Sequence, residues 1–140
     1  MTGRRLFVDT SYYIASVVHT DMFHSRAVAL SETLERCDMA VTTEPIMLEI
    51  CAAFSAHGRA RAAAFVRSCY TTRNLRVVPL REDLFLRGLD LFEHRSDKAW
   101  SLTDCISFIV MDDEGITEAL TSDRHFIQAG FRALLLESAP

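Results

Sequence analysis

Along the chain, short unbroken apolar runs alternate with longer stretches in which apolar residues recur every three or four positions. Runs of the first kind read as buried strands, and stretches of the second as helices packed on one side. The pattern predicts a strand over about 4–8 and helices over about 11–18 and 24–37. "MAVTT" at 39–43 reads as a second strand, and Pro45 suits the first turn of the helix behind it. That helix is expected to run to about His57, with Gly58 as its stop, and an Ala- and Arg-rich helix to follow to about Thr72. "LRVVPL" is the third strand. Residues 82–95 form an amphipathic helix with Leu84, Phe85, Leu89 and Phe92 on one side. A polar break at Ser96, Asp97 and Lys98 precedes the helix "SLTDCISFIVMDD", which Gly115 ends. "ITEALT" and "FRALLL" close the pattern as two more strands, with "SDRHFIQAG" as a turn or short helix between them.

Strands that alternate with helices imply a parallel sheet covered on both faces, because parallel neighbours need crossover connections. The expected class is α/β, a three-layer α/β/α arrangement around a parallel sheet of about five strands, for which 3-2-1-4-5 is a candidate order. Ligands of such sheets sit outside the carboxyl ends of the strands, where the strand order reverses. Asp9 follows the first strand and Asp123 the fourth, so this order would make two distant acids neighbours.

Composition narrows the class without naming a chemistry. The 140 residues are 49% hydrophobic and 24% charged, which suits one globular domain over 1–140. The apolar run behind Arg4 and Arg5 stops at Asp9, too early for a signal-peptide core, and no run approaches the roughly 18 residues of a membrane span. Cys37, Cys51, Cys69 and Cys105 are widely spaced and lie mostly in apolar helical patterns, as reduced core cysteines do. A cytoplasmic location without membrane attachment is the resulting expectation. The five histidines form no H-x-x-x-H pair or Cys/His cluster, so a zinc site has little support.

Charge is spread unevenly. Residues 59–81 hold six arginines and no acid, whereas residues 82–123 hold eleven acids against Arg87, Arg95 and Lys98. Arg59, Arg61, Arg67 and Arg73 are candidates for contact with a phosphate backbone, for which the guanidinium fork is suited. A solvated helix face or a protein-binding surface explains them as well. Asp112, Asp113 and Glu114 oppose the dipole at a helix C-terminus and are expected in solvent.

Four other acids carry the candidate chemistry. Glu49 is the only charge in "IMLEICAAFSA", a helix apolar nearly all round and therefore expected to be buried, where an unpartnered carboxylate is costly. Asp104 is the third residue after Ser101 in a capping box, a role that leaves one oxygen free for a second use. Asp9 and Asp123 could each be a plain helix cap. Together, however, the four would converge on one sheet edge. Each pair of carboxylates about 5 Å apart repels by roughly 3 kcal/mol at an effective dielectric of 20. A hard divalent cation resolves such a cluster, and oxygen donors favour Mg²⁺ or Mn²⁺. Mg²⁺ shares its sphere readily with phosphate oxygens, which points to phosphoryl chemistry. Thr10 and Ser11 can orient the carboxylates by hydrogen bonds. His125, beside Asp123, is read as a local packing or hydrogen-bonding residue rather than an acid catalyst.

The pieces "FVDTSYYIA", the lone Glu49, "DKAWSLTDCISFIVM" and "ALTSDRHFIQAGF", in this order, resemble a PIN domain of the VapC toxin type over nearly the whole chain. The resemblance implies an acidic quartet, here Asp9, Glu49, Asp104 and Asp123, which bind Mg²⁺ or Mn²⁺ and act in catalysis. Ser11 and Thr121 match the accompanying hydroxyl positions. It further implies an endoribonuclease, the toxin of a toxin–antitoxin system, that dimerises and is silenced by a small cognate antitoxin. The first helices, with Tyr12, Tyr13, Val17, Val18 and Phe23, offer apolar surface for a homodimer, although core packing accounts for them equally. Two enzyme-like rivals fail on residues. A receiver module would need paired acids after strand one and a lysine after the last strand, and a D-x-D-x-T phosphatase a second Asp at position 11. The remaining alternative is a non-catalytic PIN-like module that binds metal and docks RNA or protein.

Overall fold

The computed structural model describes residues 3–138. Five parallel strands form one sheet in the order β3-β2-β1-β4-β5: β1 (Arg5–Val8), β2 (Met39–Thr43), β3 (Leu75–Val78), β4 (Glu118–Leu120) and β5 (Arg132–Ala133). The helices are α1 (Thr10–Val17), α2 (His24–Arg36), α3 (Glu44–Ala53), α4 (Arg59–Thr71), α5 (Glu82–His94), α6 (Leu102–Glu114) and α7 (Arg124–Gln128). No helix among the described residues is long and apolar enough to cross a membrane.

The two-residue period of the strands divides the core. Leu6, Val8, Ala40 and Leu120 face one layer with Tyr12, Ala27 and Leu30 of α1 and α2. Phe7, Val41 and Ala119 face the other, with side chains from α3 to α7. Register then positions the strand ends. Val8 stands opposite Leu120, and the Asp9 amide donates to the Leu120 carbonyl at 3.2 Å, so the β1–β4 pairing carries Asp9 to the edge beside Thr121. On the other side Thr42 Oγ1 donates to the Val8 carbonyl at 2.9 Å. The chain at the switch point between β1 and β4 is thus hydrogen-bonded from both sides.

Several elements depart from the sequence pattern. Helix α3 ends at Ala53 rather than His57, because Phe54 turns inward to pack edge-on against Tyr13, with ring centroids 5.5 Å apart. Gly58 does not stop that helix but opens α4, where its φ of 91° lies in the left-handed region that other residues avoid. Nor is α3 apolar all round in its setting: Pro45, Ile46, Met47 and Ile50 are buried, while Leu48, Cys51, Ala52 and Ala53 are exposed. Most of "FRALLL" is not strand, since Leu134–Leu136 form a 3₁₀ turn that buries Leu134 and Leu135 under α2. Of the α5 stripe only Leu84 is buried, and Phe85, Leu89 and Phe92 lie open. The helix meets α6 instead through Gly88, where a Cβ would stand 2.6 Å from Ile106. Tyr12 and Tyr13 go into the two core layers. Of the acids at the end of α6, Asp112 and Asp113 are exposed, as expected, while Glu114 is half-buried. Asp113 pairs with Arg87, and Glu114 pairs with Arg5 and Arg76.

Candidate active site

Four chain segments end at the carboxyl edge of the sheet and each delivers one acid. Asp9 lies between β1 and α1, Glu49 on α3, Asp104 in the first turn of α6, and Asp123 at the start of α7. All four line one hollow of about 380 Å³, together with Thr10, Ser11, Ser101 and His125. Convergence on one edge was expected, and all four acids line the hollow, although only Asp104 and Asp123, together with His125, offer donor atoms within 4.8 Å of one another.

Asp9 is the deepest of the four, 7% exposed. Its Oδ2 accepts hydrogen bonds from Thr121 Oγ1 at 2.7 Å and Ser11 Oγ at 3.0 Å. The two hydroxyls are themselves anchored, because the Ser122 amide donates to Ser11 Oγ and the Asp123 amide to Thr121 Oγ1, each at 3.0 Å. Each hydroxyl carries one proton and directs it at Asp9, so the pair forms a bracket that fixes the carboxylate. Burial nevertheless outweighs the bracket and pushes the Asp9 carboxyl up to about 6, with the nearby Asp104 charge adding to the rise.

Glu49 is half-buried, with Oε1 held by Thr10 Oγ1 at 2.7 Å. Asp104 closes the capping box: the Ser101 amide donates to its Oδ2 at 3.1 Å and the Asp104 amide to Ser101 Oγ at 3.0 Å. Asp123 caps α7 by accepting from the His125 amide at 2.9 Å. The capping readings were therefore correct for Asp104 and Asp123, whereas Asp9 stands at the N-cap position of α1 without a side-chain capping bond. A cap fixes an acid at a helix start without neutralising it, so the site reading is not excluded. None of the four acids pairs with an arginine or lysine among the described residues. The donor set fits a hard divalent cation, because anionic oxygens gathered without counter-charge are what such an ion needs.

His125, expected to pack or hydrogen-bond locally, does meet Asp123 and also reaches a second segment that local reasoning did not foresee. His125 Nδ1 lies 2.9 Å from Asp104 Oδ2 and 3.3 Å from Asp123 Oδ1, so its ring joins α6 to α7. The only signal for it was its position two residues past Asp123. Trp100 was overlooked as well: its indole Nε1 donates to Gln128 Oε1 at 3.0 Å and ties the segment before α6 to α7.

The arginine-rich stretch lies apart from the hollow. Arg59, Arg61, Arg67 and Arg73 are exposed, and none lines the acidic cavity. Arg59 donates to the Ser55 carbonyl at 3.1 Å, and Arg76 is taken up by Glu114.

A family model for the PIN domain matches residues 6–132. Among solved structures, the chain is similar to VapC20 of Mycobacterium tuberculosis, described as a sarcin-ricin-loop-cleaving toxin. The TM-score is 0.80 at 25% identity, over 90% of this chain and 95% of that one. FitAcB of Neisseria gonorrhoeae shares the fold, with a TM-score of 0.62 at 15% identity over 91% and 95% of the two chains. No curated protein sequence matches significantly.

Proposed function

This chain belongs to the PIN domain family, and on that premise we propose that it is a Mg²⁺- or Mn²⁺-dependent endoribonuclease, the toxin of a toxin–antitoxin pair. The observation that carries the reading is the hollow at the β1–β4 switch point, which four acids from four segments line with no basic partner among the described residues other than His125, and in which Asp104, Asp123 and His125 offer donor atoms within 4.8 Å of one another. In this reading Asp9, Glu49, Asp104 and Asp123 hold the ion. A bound Mg²⁺ or Mn²⁺ supplies Lewis-acid polarisation of the scissile phosphate and a more acidic water. The chain's own hydroxyls do the positioning: Ser11 and Thr121 hold Asp9, and Thr10 holds Glu49, so that the acids keep their places when a polyanion enters. Glu49 and Asp104 flank the hollow as the candidates to accept the water's proton. The expected products carry a 5′-phosphate and a 3′-hydroxyl.

The similarity to VapC20 nominates a ribosomal stem-loop as the first substrate to try, with Arg59, Arg61, Arg67 and Arg73 as proposed backbone contacts outside the cavity. A small cognate antitoxin is the proposed partner that silences the enzyme in the cytoplasm. For dimerisation we propose the face of Leu48, Phe85, Leu89 and Phe92, which are 39–70% exposed, because Tyr12 and Tyr13 of the first helices are buried. Light scattering should then return twice the 15.8 kDa chain mass.

The deciding experiment incubates purified protein with ribosomes and total RNA in Mg²⁺, Mn²⁺ or EDTA, alongside Asp9→Asn. Metal-dependent cutting by wild type alone supports the proposal. Cutting that persists in the variant or in EDTA overturns it. Metal binding with no cutting of any RNA would instead mark a docking module.

A further inference from the structure

The hollow contains one nitrogen donor among its oxygens, and its placement has a chemical consequence. We infer that His125 Nδ1 is a direct ligand of the bound ion, making this a mixed nitrogen–oxygen centre that favours Mn²⁺ over Mg²⁺. The inference rests on the reading that the hollow binds a divalent cation.

Geometry is the first support. Neighbouring donors on an octahedral ion with bonds of about 2.1 Å stand about 3 Å apart. His125 Nδ1 is 2.9 Å from Asp104 Oδ2 and 3.3 Å from Asp123 Oδ1, and the three residues each offer a donor atom within 4.8 Å of the others. One coordination sphere spans all three without moving a helix. The second support is rigidity. His125 lies in the first turn of α7, its amide bonded to Asp123, while the next residue, Phe126, is fully buried against Phe7 and Phe108. Such anchoring holds the imidazole at the cavity wall. The third support is exclusivity, because His125 is the only basic side chain lining the cavity. Without an ion, an Nδ1 proton can bridge to Asp104. With an ion, the ring is the neutral tautomer with its proton on Nε2, and the Nδ1 lone pair is available for coordination.

The preference follows from donor type. Mg²⁺ takes oxygen donors and retains water, whereas imidazole nitrogen suits transition ions, with Mn²⁺ at the weak end of that series. A nitrogen ligand should therefore strengthen Mn²⁺ binding more than Mg²⁺ binding.

Electron spin-echo spectroscopy of Mn²⁺ bound to the whole protein reads the bond directly. Wild type should show imidazole ¹⁴N coupling, the pattern should change on ¹⁵N-histidine labelling, and His125→Gln should lose it. In the variant the Mn²⁺ dissociation constant should rise about tenfold or more, and the Mg²⁺ constant less than about threefold. Mn²⁺ that binds wild type in an Asp104-dependent manner but shows no nitrogen coupling overturns the inference and leaves the cation site intact. Absence of Mn²⁺ binding, or binding indifferent to both Asp9→Asn and Asp104→Asn, removes the cation site itself. Labelling of wild type decides the matter even if His125→Gln fails to fold.

Discussion

Helix α6 gathers carboxylates at both of its ends, and the two groups meet opposite fates. At its C-terminus Asp113 and Glu114 line a cleft of about 210 Å³ in which Arg87 and Arg76 answer them and which Arg81 also lines. At its N-terminus Asp104 joins three other acids with hydroxyls, amides and one imidazole for company. The C-terminal acids oppose the helix dipole, so the fold brings arginines from β1, β3 and α5 to relieve them. Asp104 instead sits where the dipole and capping amides favour negative charge, and no arginine comes. An acid cluster with guanidinium partners is mortar, while one without them is an opening for a cation.

The strongest way to break this contrast is to neutralise one acid at each end. Asp104→Asn keeps the capping geometry but removes a proposed ligand, and should lower RNA cleavage on the order of 10³-fold. Glu114→Gln should leave cleavage rates unchanged, the difference being read in parallel assays at one metal concentration. Equal losses would mean that α6 transmits strain between its ends and that the two clusters are not independent.

A second effect sharpens the contrast by measuring the cost of the unanswered charge. The Asp9 carboxyl has an ordinary value of 3.8 and is pushed up to about 6 in the fold by burial. Between those values the folded protein holds a proton that the unfolded chain has released. The stability of metal-free protein therefore falls as pH rises from about 4 to 6 and then levels off. The full drop is up to about 3 kcal/mol for a shift of this size. Asp9→Asn can still accept both hydroxyl bonds and has no charge to bury. In EDTA at pH 7 the variant should be the more stable protein by up to that amount, and at pH 4 the gap should close. Urea unfolding at both pH values tests it, and a gap independent of pH would remove the buried charge from the account. Saturating Mn²⁺ should reverse the order.

How much of this was legible in the chain depends on the range of the contact. The alternation of strands and helices and three of the acids follow from local pattern, because a strand end and a helix start are short-range signals at Asp9, Asp104 and Asp123, whereas the order of the strands is itself a pairing between segments. Glu49 stood out by being alone among apolar neighbours, even though α3 exposes Leu48 and Cys51 on its other side. What stayed hidden are pairings between segments. The His125–Asp104 contact spans 21 residues, and Arg5 reaches Glu114 across 109. No periodicity encodes either. The α5 stripe misled for a related reason: amphipathic spacing reports that a face is apolar, not that anything within the same chain covers it.

The smallest effect lies at the answered end. Arg87 meets Asp113 in a two-pronged pair of 2.7 and 2.9 Å, and the guanidinium beside it holds the Asp113 carboxyl below its usual value. Both side chains are about half exposed, so water screens the pair and little stability rests on it. Arg87→Ala should cost less than about 1 kcal/mol, and the loss should shrink in high salt. Because the folded value of Asp113 is lowered, the contribution is present above its unfolded value and disappears as pH falls through the folded one. Thermal melts at pH 7 and pH 3, in low and high salt, measure this directly. Cleavage should not change, since α6 carries 13 residues and separates its ends by about 20 Å. If Arg87→Ala abolished cleavage while melting normally, the arginines of this cleft would belong to substrate binding, and the division between answered and unanswered acids would have been drawn in the wrong place.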